Sequence, residues 1–453
     1  MHFVRNLIMA CLAVFALSYL PVAHADFKET NSFIAVADIH FDPFHACKPN
    51  APCPLVAELN QADASQWTKI FEKYDTGAVS TYDSDTNYPL LKSSLIAVNQ
   101  QVVKTSPKFV LIVGDFIGHE YKDKYETYVH DNSPVDYQNF VKKTFQFLQQ
   151  QMQKTFGNIP IYITIGNNDT YDGDYIMVPK GKFFNDMTSI WLPLLRKNTG
   201  TFKKTFPIAG YYSVTPASEP RLRIIVLNSI LFMEQAKSPS TDEAAKKQLI
   251  WLKSQLNYAE KAKQKVLLVT HVPVGIDSFK TAKGSRGNIV SFWLPNYTKE
   301  FLKLIKQYQP VVSGMVSGHI HMDIFQVLKS GPNPVFNTSV PSISPVFGNN
   351  PGFKVYNYAP GSLMLQDYTT FYLDEGRSRP KWKLEYSFNN AYDSNCKTCD
   401  LITDSQKFNT DITKKYYSLS SEKVKFAKEH WLPYIWCGIK NITVNDYQTC
   451  LHN

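Results

Sequence analysis

Histidine, aspartate and asparagine recur in five short clusters, each directly after an apolar run of the chain. The clusters are Asp38-Ile-His40, Gly114-Asp115 with His119, Gly166-Asn167-Asn168, His271-Val-Pro273 and Gly318-His319-Ile-His321. Imidazole nitrogens and carboxylate oxygens bind zinc, iron or manganese, and a set without thiolates argues against a cysteine-rich structural zinc site. A hydrolytic centre with two cations about 3.5–4 Å apart needs about seven such ligands, one of them bridging. The pattern therefore predicts a hydrolytic site with two metal ions.

The prediction rests on the ordered set of five clusters rather than on any one cluster. A lone D-x-H or G-D pair often arises by chance, and a single histidine after a strand is usually capped or buried. Gly-Asn-Asn-Asp has the composition of a simple turn. Five clusters in order, each behind a predicted strand, are poorly explained by chance. Gly114, Gly166 and Gly318 fit tight turns where the backbone leaves a strand.

Short β-branched runs alternate with amphipathic stretches, which predicts an α/β fold of layered sheets. The predicted strands are Phe33–Ala37, Phe109–Val113, Ile161–Ile165, Leu222–Leu227, Val266–Thr270 and Val311–Val316, followed by Pro334–Asn337, Ser362–Leu373 and Lys381–Ser387. The predicted helices are Leu90–Lys104, Tyr137–Phe156, Ala244–Ala262 and Lys299–Gln307. Sites in open α/β sheets form beyond the carboxyl ends of strands, which is where the five clusters fall.

The order D-x-H, G-D, G-N, H and G-H-x-H resembles the calcineurin-like metallophosphoesterases over Asp38 to His321. Asp38-Ile-His-Phe-Asp-Pro43, the histidine four residues after Asp115, His271-Val-Pro and Gly318-His-Ile-His-Met-Asp323 resemble the acid-sphingomyelinase-like phosphodiesterase branch. A looser match is Asn349-Asn-Pro-Gly352. The resemblance implies a metallophosphoesterase sandwich, in which mixed β-sheets are flanked by helices.

The resemblance also implies the role of each ligand. Asp38, His40 and His321 would hold one ion, and Asn167, His271 and His319 would hold the other, with Asp115 as the bridge. The expected cofactors are two divalent ions, with zinc favoured. Members of this family attack phosphorus with a metal-bound hydroxide, and two histidines near the phosphate stabilise it or protonate the leaving group. His119 matches one of these histidines, but Asn168 stands where the family usually has the other. We therefore expect His119 to act alone as general acid, with Asn168 orienting the phosphate.

Two neighbouring enzyme classes fit less well. Purple acid phosphatases bind iron through a tyrosine three residues after the bridging aspartate, and here that position is Gly118. Acid sphingomyelinase carries a saposin-like domain ahead of its catalytic part, and we expect none before Asp38. The favoured substrates are soluble nucleotide-type or choline-phosphate-type phosphodiesters or phosphoanhydrides. Alternatives are a phospholipid phosphodiesterase, a phosphomonoesterase and a non-catalytic binding protein on this fold. Aromatic residues in Tyr171–Tyr175 and Phe292-Trp293 could line a base or choline pocket or simply pack.

Residues 1–25 have a charged start, a short apolar centre and an Ala-His-Ala site, which predicts a secretory signal peptide rather than a membrane anchor. We expect a catalytic domain over residues 26–392 and a small helical subdomain over residues 393–453. The chain would be secreted, to an extracellular, periplasmic or lysosome-like compartment. Without Cys11, six of the seven cysteines remain, and the nearest pairs predict disulfides Cys47–Cys53, Cys396–Cys399 and Cys437–Cys450.

The formal net charge of +9 is spread along the chain without a long lysine or arginine run. We therefore expect no nucleic-acid partner. A small phosphodiester or nucleotide is the expected partner. Peripheral contact with a membrane or lipid stays open, as does the oligomeric state.

Overall fold

The computed structural model describes residues 30–48, 50–130, 133–284, 288–328, 335–374, 380–392, 416, 418–419 and 429–452. The predicted signal peptide and the predicted Cys396–Cys399 disulfide lie outside the described residues. So does most of residues 393–428, and the domain boundary placed at residue 392 therefore stays a prediction.

Two six-stranded mixed sheets form the centre of the molecule. The strands are β1 Asn31–Val36, β2 Val110–Val113, β3 Ile161–Thr164, β4 Tyr212–Val214, β5 Leu222–Val226, β6 Lys265–Val269, β7 Val312–Ser317, β8 Phe325–Leu328, β9 Val335–Ser339, β10 Gly352–Tyr358, β11 Leu365–Leu373 and β12 Trp382–Ser387. The first sheet has the order β12-β11-β10-β1-β2-β3 and the second has the order β4-β5-β6-β7-β9-β8. The first sheet contains three neighbouring parallel strands, β1-β2-β3, and the second contains four, β5-β6-β7-β9.

Helices flank these sheets, so the predicted α/β sandwich is confirmed. They are α1 Pro54–Gln61, α2 Trp67–Tyr74, α3 Tyr88–Thr105, α4 Tyr121–Val129, α5 Pro134–Phe156, α6 Lys182–Trp191, α7 Phe202–Ala209, α8 Pro239–Lys261, α9 Ser278–Lys283, α10 Pro295–Gln307, α11 Phe388–Ala391, α12 Leu432–Lys440 and α13 Val444–His452. Among the described residues, no helix is both long enough and apolar enough to cross a membrane.

The longest helices begin where a side chain caps them and a proline follows. Asn87 accepts from the Leu90 amide at the start of α3, and Ser238 forms a capping box with Thr241 at the start of α8. Such caps satisfy amide groups that the first helical turn leaves without a partner. Each of these helices lies in the chain between two strands of a parallel set.

A helical hairpin with a disulfide lies near the C-terminus. Cys437 of α12 and Cys450 of α13 form one of the predicted disulfides, and Cys47–Cys53 is the other that the structure describes. Ile276 packs in a small apolar cluster with Cys437 and Tyr447. The hairpin thereby rests against the segment that leads into α9.

The two sheets pack face to face, and a buried ion pair joins them. Lys354 of β10, in the first sheet, lies 2.5 Å from the Asp323 carboxylate, and both side chains are almost fully buried. Lys354 also donates to the Ser339 carbonyl of the second sheet at 2.8 Å and lies 3.9 Å from the Tyr368 ring centroid. Asp323 accepts from Thr370 as well. The pair therefore connects both sheets to the loop that carries His319 and His321.

We expect Lys354→Met to lower the free energy of unfolding by about 3–5 kcal/mol, because it leaves the Asp323 charge buried without a cation. Urea denaturation followed by circular dichroism would measure the change. Lys73→Met is the matched control, because Lys73 pairs with Glu58 at the same 2.5 Å on the exposed surface, where solvent screens the charges. Equal losses in the two variants would contradict this account.

Candidate metal centre

All the sequence-predicted ligands lie at the carboxyl ends of the two parallel strand sets. Loops after β1, β2 and β3 bring Asp38, His40, Asp115 and Asn167, while loops after β6 and β7 bring His271, His319 and His321. The carboxyl ends of the two parallel strand sets face each other, so the predicted ligands from both sheets meet in one place. The structure thus brings together every residue of the predicted metal set.

Five of these residues have left-handed backbone. The φ angles are 50° at Asp38, 43° at His40, 53° at Asp115, 71° at His319 and 63° at His321. This conformation is uncommon for residues other than glycine, though aspartate and histidine adopt it more readily than most. It is a feature that concentrates at functional sites.

The first ligand group contains Asp38, His40 and His321, whose ligand atoms lie within 4.8 Å of one another. The His40 and His321 Nε2 atoms are 3.1 Å apart. Asp38 Oδ1 lies 3.5 Å from His321 Nε2 and 3.9 Å from His40 Nε2. All three residues are buried.

The second ligand group contains Asp115, His271 and His319, with Asn167 beside them. Asn167 Oδ1 lies 2.9 Å from His319 Nδ1 and 3.2 Å from His271 Nε2. One oxygen of Asp115, Oδ2, is 3.3 Å from His271 Nε2 and 3.4 Å from His40 Nε2. Asp115 is therefore placed between the two groups, as a bridging ligand must be.

The donor chemistry fits a pair of cations. The Nδ1 atoms of His271 and His40 face the backbone carbonyls of Val113 at 2.7 Å and Ile117 at 3.2 Å. A carbonyl only accepts, so each Nδ1 carries a hydrogen, and each ring in its neutral form turns an Nε2 lone pair inward. These lone pairs face carboxylate and amide oxygens, which are acceptors too. Such a convergence of acceptors is stable only with cations or protons among them.

The pKa values show the same crowding of acceptors. Burial, reinforced by the neighbouring Asp115 charge, raises the pKa of Asp38 to about 8. Burial lowers the pKa of His40 to about 4. Burial alone would also lower the pKa of His271, but the Asp115 carboxylate outweighs it and raises that pKa to about 10. A metal ion binding here would displace protons from these groups.

Asp169 positions the bridging residue, a role that its place in a turn-like motif did not indicate. Its carboxylate accepts from the amides of Asp115 at 2.9 Å, Phe116 at 2.7 Å and Gly166 at 2.8 Å. It therefore holds the loop after β2 against the loop after β3. Gly166 is needed for this contact, because a Cβ there would lie 2.1 Å from Asp115 Oδ1. Gly166 is therefore required because Asp115 packs closely against it. Gly114, in contrast, has the turn conformation expected from the sequence, with φ of 83°.

Asn168 contacts the bridging carboxylate directly. Its backbone amide donates to Asp115 Oδ1 at 2.8 Å and its side-chain amide donates to Oδ2 at 3.0 Å. The side chain is buried. The residue that departs from the family pattern therefore orients Asp115, while a contact with phosphate stays a prediction.

His119 stacks on His40 with ring centroids 4.1 Å apart and is held by Asp85. Asp85 accepts from His119 Nδ1 at 2.9 Å and from the His119 amide at 2.7 Å. Burial by itself would lower the pKa of His119, but the Asp85 carboxylate outweighs it and the pKa is raised. Asp85 lies in a loop far from any predicted strand end, so the sequence offered no signal for it. Gly118 leaves room for it, because a Cβ there would lie 3.0 Å from Asp85 Oδ2.

A cavity of about 310 Å³ opens above the ligands. His119, Asp115 and His319 form part of its lining. Its walls carry aromatic side chains and two lysines, namely Tyr175, Phe279, Phe292, Phe347, Lys280 and Lys283. Of the aromatic residues considered from the sequence, Tyr175 and Phe292 line the cavity. Tyr171 and Trp293 are buried in the core.

Two family models match the chain. The model described as calcineurin-like phosphoesterase matches residues 32–323, and the model described as acid sphingomyelin phosphodiesterase C-terminal region matches residues 333–453.

Curated phosphodiesterases are similar to the chain along most of its length. Cyclic GMP-AMP phosphodiesterase SMPDL3A of Mus musculus is 27% identical, with 95% of this chain and 94% of that protein covered. Acid sphingomyelinase-like phosphodiesterase 3b of Homo sapiens is 24% identical, with 94% and 90% covered. Sphingomyelinase phosphodiesterase C of Dictyostelium discoideum is 24% identical, with 85% and 84% covered. These matches confirm the resemblance predicted from the motif order.

We expect the wild-type protein to bind two zinc ions and Asp115→Asn to weaken both, because one carboxylate serves both ligand groups. His271→Ala should mainly weaken one ion. Loss of a supporting group around a metal typically costs 10–100-fold in affinity, and loss of a ligand should cost at least about that much. Elemental analysis after equilibration against buffered zinc would measure the stoichiometry. His130→Ala, at an exposed histidine outside the centre, is the control. One ion or none in the wild type at saturating zinc would refute a two-metal centre.

Proposed function

The chain belongs to the calcineurin-like phosphoesterase family, and from that membership we propose a secreted phosphodiesterase with a two-zinc centre. Its proposed substrates are soluble phosphodiesters or phosphoanhydrides of nucleotide or choline-phosphate type. The observation that carries the proposal is the Asp115 oxygen between two ligand groups, beneath a cavity that His119 helps to line.

The prediction of an enzyme is confirmed, because the family is catalytic and the similar curated proteins are named phosphodiesterases. The alternative of a non-catalytic binding protein on this fold therefore falls away. Asn168, the one departure from the family pattern, leaves the ligand groups intact.

We assign Asp38, His40 and His321 to one ion, Asn167, His271 and His319 to the other, and Asp115 to both. A set rich in imidazole, with two carboxylates and an amide oxygen, suits zinc better than magnesium or calcium. When bound, two such ions withdraw charge from the phosphate and increase the acidity of the attacking water.

The proposed role of His119 is to protonate the leaving oxygen. Asp85 engages Nδ1, so Nε2 is the atom left to face a leaving group. The raised pKa favours the protonated ring, which is the form that a general acid requires. Asn168 fixes the orientation of the Asp115 carboxylate and in this way supports the proposed metal ligands, which would bind the phosphate through the metal ions.

The cavity supports a substrate with both planar and anionic parts. Phe292 and Tyr175 offer aromatic surface, and Lys280 and Lys283 offer positive charge, with Lys280 also 3.8 Å from the Asp277 carboxylate of the same wall. A similar mouse protein is named a cyclic GMP-AMP phosphodiesterase, which agrees with a nucleotide-type substrate. A similar Dictyostelium protein is named a sphingomyelinase phosphodiesterase, so a sphingomyelin or phospholipid substrate is the second candidate.

Secretion is supported by the predicted signal peptide and by two disulfides, Cys47–Cys53 and Cys437–Cys450. Disulfides persist mainly in oxidising compartments. Comparison of culture supernatant or periplasmic extract with whole cells would test this part of the proposal.

We expect the zinc-loaded protein to hydrolyse bis(p-nitrophenyl) phosphate and a chelator to abolish the reaction, with recovery on added zinc. A parallel screen would compare a nucleoside triphosphate, a cyclic dinucleotide, CDP-choline, sphingomyelin in mixed micelles and p-nitrophenyl phosphate. The proposal requires the soluble diesters or anhydrides to have the highest kcat/KM. A higher value for sphingomyelin or for the monoester would replace it with the corresponding alternative.

We expect His119→Ala to slow hydrolysis of ethyl methylphosphonate by about 10²–10⁴-fold and hydrolysis of p-nitrophenyl methylphosphonate much less. An ethoxide needs a proton to leave, whereas p-nitrophenolate does not. Asp85→Asn should show the same preference with a smaller loss, because Asp85 acts through His119. His45→Ala, at an exposed histidine, is the control. Equal losses on both esters with unchanged metal content would rule out the general-acid role.

A further inference from the structure

Phe347 is an exposed aromatic side chain that lines the cavity beside His119. Its ring centroid lies 5.5 Å from that of His119, with an edge-to-face angle of 73°. It lies 4.7 Å from the ring centroid of His321. The side chain is nevertheless 59% exposed. A large apolar ring thus contacts two site histidines and keeps much of its surface open to the cavity mouth.

The loop that carries Phe347 is fixed to the ligand loops. The Ser344 amide donates to the Asp38 carbonyl at 3.1 Å, and the Ser342 amide donates to the His321 carbonyl at 3.4 Å. Two amides, those of Gly348 at 2.9 Å and Asp83 at 3.2 Å, donate to the Pro345 carbonyl. The backbone of this loop is therefore held in place, which keeps Phe347 beside the two histidines.

The direction of phosphoryl transfer places the leaving group on this wall. The attacking and leaving oxygens lie roughly in line through phosphorus, on opposite sides. The ligands form the floor of the cavity, so water attacks from there and the leaving group points toward the mouth. Under the proposed function, His119 donates to that leaving oxygen, and Phe347 is the aromatic group beside it.

We propose that Phe347 selects the leaving group, by stacking on an aromatic or apolar substituent as it departs. This inference rests on the proposed function of His119. The wall around His319 is separate, with Tyr175 and Phe292 at ring-centroid distances of 6.4 Å and 6.2 Å, and it receives the substituent that phosphorus retains. In the reaction, a bond forms from the water oxygen to phosphorus as the bond to the leaving oxygen breaks. The His119 proton goes to that oxygen, and the group departs as a neutral alcohol. The attacking water releases one proton to solvent, and His119 takes one back from solvent before the next turnover.

Phosphonate monoesters separate the two halves of the substrate, because each has a single ester bond that hydrolysis can break. In 2-phenylethyl methylphosphonate the aromatic ring is on the leaving group. In ethyl phenylphosphonate it is on the retained group, and ethyl methylphosphonate has none. The two alkyl leaving groups have similar intrinsic reactivity, so differences in kcat/KM report on binding.

Phe347→Ala should lower kcat/KM about tenfold for 2-phenylethyl methylphosphonate, since stacking on an aromatic side chain is typically worth about that factor or more. It should lower kcat/KM much less for the other two esters, because neither has an aromatic leaving group. Phe347→Tyr keeps the ring and should keep the preference. Leu384→Ala in β12 is the matched control, because Leu384 is 58% exposed. Zinc content is measured for every variant.

A loss on ethyl phenylphosphonate instead would place Phe347 on the retained side and overturn the proposal. Equal losses on all three esters, or no loss, would overturn it as well. Absence of turnover by the zinc-loaded wild type would refute the proposed function itself, which is a different result from an active enzyme without the selective loss.

Discussion

The carboxylate of Asp115 is the interaction on which the arrangement of the site depends. Its Oδ2 atom lies 3.4 Å from His40, at the end of the first sheet, and 3.3 Å from His271, at the end of the second. Lone pairs and negative charge converge there in a buried space, which is unfavourable without cations. Hydrogen bonds with Asn168 and Asp169 fix the position of Asp115. The two sheets must therefore meet with their strand ends in register, or the shared oxygen would serve only one ligand group.

The ligand loops reach this point at a conformational cost. Five of the proposed ligands have positive φ angles, and a non-glycine residue in that region typically costs about 1–3 kcal/mol. Backbone hydrogen bonds between the loops hold the conformation, since the Asp38 amide donates to the Gly114 carbonyl and the His40 amide to that of Asp115. Burial of the two sheets offsets the strain, and bound metal would offset more of it.

The later part of the chain completes the site rather than standing apart from it. β10, β11 and β12 extend the first sheet, while β8 and β9 extend the second. Lys354 reaches across to Asp323, two residues beyond His321. The same region supplies Phe347 at the mouth of the cavity. Stability of the sandwich and placement of the last two histidine ligands are therefore linked through one stretch of chain.

The sequence by itself indicated most of the strands, four of the helices, the set of proposed ligands and the two disulfides that the structure describes, because each leaves a short-range pattern. All six strands predicted before residue 320 and all four predicted helices are present, with ends that differ by at most five residues. β4, β8 and β10 were missed, and in β10 the buried Lys354 interrupts the apolar pattern. Only the tertiary structure shows that Asp85 and Phe347 contact His119, since both lie far from it in the chain. Asp169 was visible in a motif, but only folding shows that its carboxylate binds three amides. Residue spacing predicts which residues along the chain are candidates for the site. The residues that position them are brought close only by folding, so no local pattern in the sequence indicates them.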